Sequence, residues 1–348
     1  MSIKIGNRII GKNNPCFISL EPSATYTNIH EAITMIKIIS KSKADAVKFQ
    51  TFLPGDAEKI MGHKDITVDF VTEKGNKKEF VLNALKRREL SKDEWIKIIK
   101  FSKKLGLNFI TAPYFFETVD FLKKVGVDAF KVSKGDINNV LLIEKMAKTK
   151  IPIILDAREK FHDVDIAIKI CEENKNNKII IMHCPSGYPS KYEGIHLNAI
   201  KKIQKKYDYP VAFADHSPGD IMNYAAVTLG VSMLEKTITL NKKIQKVEHY
   251  MSLQNEEVES FVRNIRNLEK AMGNSDILDI SRVEESSRRT LTAKVDIKKD
   301  VKITKKMLDF RRPGNLGISC ADGFKILGKK SKKDIPIGSF LTWRMFKE

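Results

Sequence analysis

The stretch "VAFADHSPGD" (211–220) runs a short apolar segment straight into an acid and an imidazole, Asp215 and His216. The same pattern recurs along the chain. Glu21 follows "CFISL", Lys48 and Gln50 lie in "AVKFQT", and Thr111 lies in "NFITAP". Lys131 and Lys134 lie in "AFKVSK", Asp156 and Arg158 follow "IPIIL", His183 and Tyr188 follow "KIIIM", and Glu235 lies in "SMLEK". Ammonium, guanidinium and hydroxyl groups together hold phosphate or carboxylate. Each residue alone has a plainer reading: a strand-end Glu accepts a hydrogen bond from a loop, and a lone His packs as a satisfied core residue. Eight such ends together predict one shared, positively charged opening for an anionic substrate.

The apolar runs that carry these residues are short and rich in β-formers: 16–21, 46–51, 108–113, 129–133, 151–156, 178–183, 211–215 and 232–236. Amphipathic segments such as "WIKIIKFSKKLG", "FETVDFLKKVG", "VLLIEKMAKT" and "NEEVESFVRNIRNLEKAMG" alternate with them, with apolar residues at helical spacing. Eight alternations predict an α/β fold, a (β/α)8 TIM barrel over residues 1–273, in which strand C-termini face the active site. A doubly wound sheet is the alternative, but no Gly-rich phosphate loop follows the first strand. Beyond Gly273 the polar run "NSDILDISRVEESSRR" reads as a linker (274–288). The segments "TLTAKVDIKKDVKI", "FRRPGNLG", "KILGKK" and "DIPIGSFLTW" then predict a small β-rich domain over 289–348.

The 348 residues carry a net charge of +19, and the segment 286–348 alone holds 12 Lys and 5 Arg against 5 Asp and 1 Glu. No helix-turn-helix, zinc or RNP-type motif accompanies this charge, so a solvated Lys-rich surface is expected rather than a nucleic-acid partner. No apolar run reaches the length of a membrane span or a signal-peptide core. Cys16, Cys171, Cys184 and Cys320 have no disulfide or metal spacing, which predicts a reducing, cytoplasmic setting. Cys184 is expected as a packed thiol and His249, in "VEHY", as a surface histidine.

Taken in order, "IKIGNRIIG", "ADAVKFQTF", "FITAPYF", "AFKVSKGDINN", "HCPSGYPSKYE", "ADHS" and "LEK" resemble the sialic acid synthase family, which makes N-acetylneuraminic, legionaminic and pseudaminic acids. The tail motifs "SRRTLTAKVDIKK", "RRPGNLG", "ILGKKSKKDI" and "GSFLTW" resemble that family's C-terminal antifreeze-like (SAF) domain. The resemblance runs from about residue 3 to the C-terminus. It implies condensation of phosphoenolpyruvate with an N-acylated mannosamine-type sugar aldehyde, release of phosphate, and a role in surface-glycan synthesis. It implies a divalent metal, manganese or magnesium, no organic cofactor, and a domain-swapped homodimer. On this likeness Lys48, Gln50, Thr111 and Lys131 grip phosphoenolpyruvate and orient the sugar, and Glu21 acts near the aldehyde. Tyr188 contacts substrate, Arg312 reaches the acyl group across the dimer, and His216 binds the metal. Glu21, His216 and Glu235 are the catalytic candidates.

The chain departs from the family pattern in the same mouth. Thr237, in "LEKTIT", stands where a second metal-binding histidine is expected. A neutral hydroxyl is a poor replacement for imidazole, so one histidine with waters would hold a metal weakly. The pattern's Asn-His is Thr25-Tyr26 here, and its Ser-Thr-Gly is Asp156-Ala157-Arg158. Lys134, Asp136, Ser186 and Glu248 likewise replace family residues, and with Arg158 and Asp215 they complete the substrate-binding candidates. Three readings stay open: a synthase of this family with an altered site, an enzyme of the same fold with other substrates or metal-free chemistry, and a non-catalytic sugar-binding relative.

Overall fold

The computed structural model describes residues 1–157, 161–273 and 282–347; Arg158 lies outside them. The β-branched and aromatic runs form eight parallel strands: β1 (Phe17–Glu21), β2 (Ala46–Gln50), β3 (Asn108–Ala112), β4 (Ala129–Val132), β5 (Ile153–Asp156), β6 (Ile179–His183), β7 (Val211–Asp215) and β8 (Met233–Thr239). Each pairs with the next, and β8 pairs with both β7 and β1, which closes the barrel. Helices pack outside. Lys92–Lys104 starts at a capping box in which Ser91 and Glu94 satisfy each other's backbone N–H groups. Asn255–Met272 buries Val258, Phe261, Val262 and Ile265 along one stripe. The sequence therefore specified the fold class, a (β/α)8 barrel.

Side chains on a strand point alternately to opposite faces. One set fills the barrel interior: Phe17, Ala46, Ile110, Ala129, Ile154, Ile180, Ala212, Ala214 and Met233. Ile3, Ile5 and Ile10 of an N-terminal hairpin (Ser2–Ile5 with Arg8–Gly11) join that inner cluster. Two steps further along, the same inward parity brings Lys48 and Gln50, Lys131, Asp156, His216 and Glu235 toward the C-terminal rim. A second hairpin, Thr67–Thr72 with Gly75–Phe80, interrupts the β2-to-β3 connection and leads into the helix Val81–Lys86. Phe70 of this hairpin packs with Ala24, Ala84 and Val247, and the Val71 N–H donates to the Tyr188 carbonyl at 3.1 Å.

The chain divides into a first unit, Met1–Gly273, and a second that begins at Asn274. The second unit pairs Thr290–Ala293 antiparallel with Leu308–Arg311 and buries Leu291, Ala293, Ile297, Ile303, Ile318, Ile326, Ile335 and Leu341 in its own core. The described part of the expected linker includes a short helix, Arg282–Ser287. Among the described residues, no helix is long and apolar enough to cross a membrane.

Candidate active site

A hollow of about 290 Å³ opens at the C-terminal ends of the barrel strands. The sequence-predicted residues Glu21, Lys48, Gln50, Lys131, Lys134, Tyr188, His216, Glu235 and Glu248 all line it. Lys48 sits between two acids: its Nζ is 2.5 Å from Glu21 Oε1 and 3.7 Å from Glu235 Oε1. Lys131 Nζ donates to the same Glu235 oxygen at 2.6 Å. All four side chains are buried. Charges this close in a shielded place interact far more strongly than on the surface.

The two acids of this chain are pushed in opposite directions. Burial raises the carboxyl of Glu21 above its ordinary 4.5, and Lys48 offsets only part of that. Burial also acts on Glu235, but the ammonium groups of Lys131 and Lys48 outweigh it and hold this acid well below the usual range. Lys131 responds in kind, since burial disfavours its charge but Glu235 holds it above the ordinary lysine range. Two acids whose proton affinities are pushed apart beside Lys48 can divide the tasks of holding charge and accepting a proton.

Glu248 enters from the loop after β8. Its backbone has φ of +73°, a left-handed conformation uncommon for a residue with a side chain. Its Oε2 accepts from the Ala24 N–H at 2.9 Å. Burial raises this carboxyl, but Arg88 and the bonds from Ala24 and Ser23 bring it below the usual range. On the facing side Tyr188 packs against His216 with ring centroids 5.2 Å apart, and the Ser190 N–H donates to the His216 carbonyl at 3.0 Å. Gly187 makes that loop possible: a Cβ there would lie 2.7 Å from the Pro189 carbonyl oxygen.

Several expectations need correction. Asp215 and Thr111 do not line the hollow. Strand parity explains both, because their neighbours Ala214 and Ile110 point inward. Asp215 instead accepts from Lys236 Nζ at 2.6 Å, Asn223 Nδ2 at 2.6 Å and the Ser217 N–H and hydroxyl at 2.8 and 2.7 Å. Thr111 Oγ1 bonds Thr51 Oγ1 at 2.6 Å. Asp136 accepts from Ser133 Oγ, and Ser186 is exposed with its hydroxyl 3.4 Å from Lys134 Nζ; neither lines the hollow. His183 is bonded to the Ile195 carbonyl. His249 is buried, not on the surface: Thr239 Oγ1 meets its Nδ1 at 2.8 Å, and burial lowers its pKa to about 4. Tyr26 is a fully buried core ring beside Phe49, with its hydroxyl donating to the Arg88 carbonyl. Arg312 is exposed in the second unit.

The expected cationic opening is instead charge-balanced. Lys48, Arg88, Lys131 and Lys134 share it with Glu21, Asp156, Glu235 and Glu248. Arg88 and Tyr114 escaped the strand-end reading. Arg88 comes from the segment after the second hairpin, not from a strand, and its only sequence signal is the basic run "KRREL". Tyr114 lies just beyond β3 in the quoted motif "FITAPYF". Cys184 lines the hollow while staying buried.

The donor set does not suit a divalent cation. Among the described residues, His216 is the one imidazole lining the hollow, and Thr237 is paired in register with Glu21 where a second imidazole would be needed. Glu21 and Glu235, two of the carboxylates lining the hollow, are already paired with Lys48 and Lys131. Among the described residues, no group of three or more His, Cys, Asp or Glu side chains is arranged to hold a metal.

Residues 35–276 match the model of the NeuB family. An uncharacterized protein of Methanocaldococcus jannaschii is 34% identical over 98% of this chain and 97% of its own length. The pseudaminic acid synthase of Campylobacter jejuni serotype O:23/36 is 30% identical over 97% of this chain and 98% of its own. Among solved structures, an N-acetylneuraminic acid synthetase of Leptospira borgpetersenii superposes with a TM-score of 0.71 at 27% identity, covering 82% of this chain and 95% of that one.

Proposed function

Because the chain belongs to the NeuB family, we propose that it is a nonulosonic acid synthase that condenses phosphoenolpyruvate with an N-acylated hexosamine-type aldehyde and releases phosphate, in surface-glycan synthesis. The observation that carries this reading is the buried alternation Glu21–Lys48–Glu235–Lys131 at the rim of the barrel. Lys131 and Lys134 take the anionic groups of phosphoenolpyruvate. The enol carbon attacks the aldehyde carbon, forming the new C–C bond, and the carbonyl electron pair moves onto oxygen. Lys48 donates a proton to that oxygen. Water adds to the former enol carbon as Glu21 takes its proton. Glu21 then returns the proton to Lys48 across their 2.5 Å contact. The hydroxyl so formed at that carbon becomes a keto oxygen as the C–O bond to phosphate breaks, and its proton leaves with phosphate. Glu235, held low by the ammonium groups beside it, serves as their counter-charge at the rim. Tyr188, His216 and Glu248 position the sugar.

No step in this sequence is routed through a metal. Phosphate release from phosphoenolpyruvate, assayed over a panel of N-acyl aldoses, tests the reading. The expected result is turnover with at least one sugar, unchanged by a chelator. Thr237→His is expected to tighten manganese binding, measured by calorimetry, by at least about tenfold, since imidazole replaces a weak hydroxyl donor. No turnover with any sugar defeats the synthase reading, and loss of activity on chelation defeats the metal-free one.

The tail (289–348) is proposed as an antifreeze-like domain that reaches the barrel of a second copy in a domain-swapped homodimer. Arg312 would then meet the acyl group of the sugar. Arg312→Ala is expected to raise the KM for the sugar about tenfold, the effect of losing one charge-assisted hydrogen bond. Dimer mass by light scattering should not change. Unaltered kinetics in a dimeric Arg312→Ala variant would remove this residue from the site.

A further inference from the structure

The side-chain amide of Gln50 stands at the centre of a relay that the strand-end pattern does not contain. Arg88 Nη1 lies 2.6 Å from Gln50 Oε1, and the Tyr114 hydroxyl lies 3.0 Å from the same atom. A guanidinium has donors and no acceptor, so the edge of the amide facing Arg88 must be its carbonyl oxygen. The NH2 is thereby turned the other way, toward Glu21 Oε1 and Ser23 Oγ, each at 3.4 Å. Those contacts are long, which leaves the amide hydrogens able to serve a better acceptor in the hollow.

Arg88 is itself held rigidly. It is 7% exposed, its Nε donates to the Ala84 carbonyl at 2.9 Å, and its guanidinium lies 5.5 Å from the centre of the Phe52 ring. Its own carbonyl accepts from Tyr26, whose ring is packed in the barrel wall. The second hairpin and the helix after it thus deliver a fixed cation to the rim from outside the barrel.

We propose that Arg88 is a positioning residue for acceptor recognition: with Tyr114 it locks the Gln50 amide so that its NH2 faces the hollow and selects a sugar bearing an oxygen acceptor, an acyl carbonyl or a hydroxyl, at that place. This rests on the synthase reading above. Without Arg88 the amide is free to turn, and half of its orientations set its oxygen against Glu21. An acceptor held through that amide then loses its donor, whereas phosphoenolpyruvate, held by lysines, does not.

The test is a double-mutant cycle on phosphate release with both substrates varied. Arg88→Met is expected to raise the KM for the sugar at least about tenfold, leaving the KM for phosphoenolpyruvate in place. Tyr114→Phe should move the same constant less, and Arg88→Lys should recover part of the loss. In a Gln50→Ala background Arg88→Met should add nothing, because its effect passes through the amide. An equal rise in both backgrounds, or no rise in either, overturns the proposal. If Arg88→Met does not fold by circular dichroism, the Tyr114→Phe and Gln50→Ala cycle decides by the same criterion. A wild-type protein that neither turns over nor binds any sugar of the panel overturns the synthase reading and this inference together; an active protein with an additive cycle overturns this inference alone.

Discussion

Lys48→Met should lower kcat/KM for phosphate release about a thousandfold, the loss of one proton donor positioned on developing charge. Lys48 is the group that bridges the two buried acids, at 2.5 Å from Glu21 and 3.7 Å from Glu235. Its removal leaves Glu21 with the upward push of burial and without its principal opposing charge. The pH profile of the residual activity should shift accordingly. Glu21 must be ionised to accept the proton of water, so activity falls as pH drops through its pKa, and that acidic limb should move to higher pH in the variant. The variant should also be less stable, because a buried acid has lost its partner. Adding Glu21→Gln separates the two effects: the melting temperature should recover and the rate should not. A Lys48→Met enzyme within tenfold of wild type would show that Lys48 is a structural counter-ion and not the proton donor.

The second large effect concerns stability and lies behind the hollow. Lys236 is wholly buried, with its Nζ 2.6 Å from Asp215 Oδ2 and 2.5 Å from the Ser217 carbonyl. Burial pulls this ammonium below the ordinary lysine range, with Asp215 opposing the shift. The pair therefore carries a desolvation cost, but removing one partner is worse than keeping both, because the other remains charged and buried. Lys236→Met should destabilise the first unit by about 3–5 kcal/mol, a fall in melting temperature on the order of 10 °C. The double variant Lys236→Met/Asp215→Asn should regain part of it. A melting temperature within two degrees of wild type would refute a structural role for this pair. Asp215 and Ser217 flank His216, so the same variant should also loosen the histidine at the rim and lower turnover.

Much of this protein is legible before folding. The eight strands fall where short β-branched runs meet Gly, Pro and Asn stops, and the helices fall where apolar residues recur at 3.6-residue spacing. Both periods are properties of local backbone geometry, so they survive in a one-dimensional reading. The rim residues Glu21, Lys48, Lys131, His216 and Glu235 were found for the same reason, since a parallel barrel sends every strand end to one face. Thr111 and Asp215 lie on the opposite face, because side chains alternate along a strand and position near its end does not fix the face. The inward neighbours Ile110 and Ala214 carried that information.

Other features belong to no local pattern. Arg88 reaches the rim from a segment 38 residues beyond Gln50, on an excursion whose path depends on how a hairpin packs against Ala24 and Val247. His249 is buried because the loop after β8 folds back onto Thr239. The neutralisation of a mouth that counted as cationic depends on lysine and glutamate side chains 27 and 104 residues apart meeting within hydrogen-bond distance. The sequence by itself determined the barrel, the face to which the strand ends lead and the types of groups gathered there, because backbone periodicity and strand polarity set these. Only the tertiary structure decided which of those groups pair, which carry free charge and which are turned into the wall. Pairing is a matter of distances between segments far apart in the chain, and proton affinity follows from those distances and from burial.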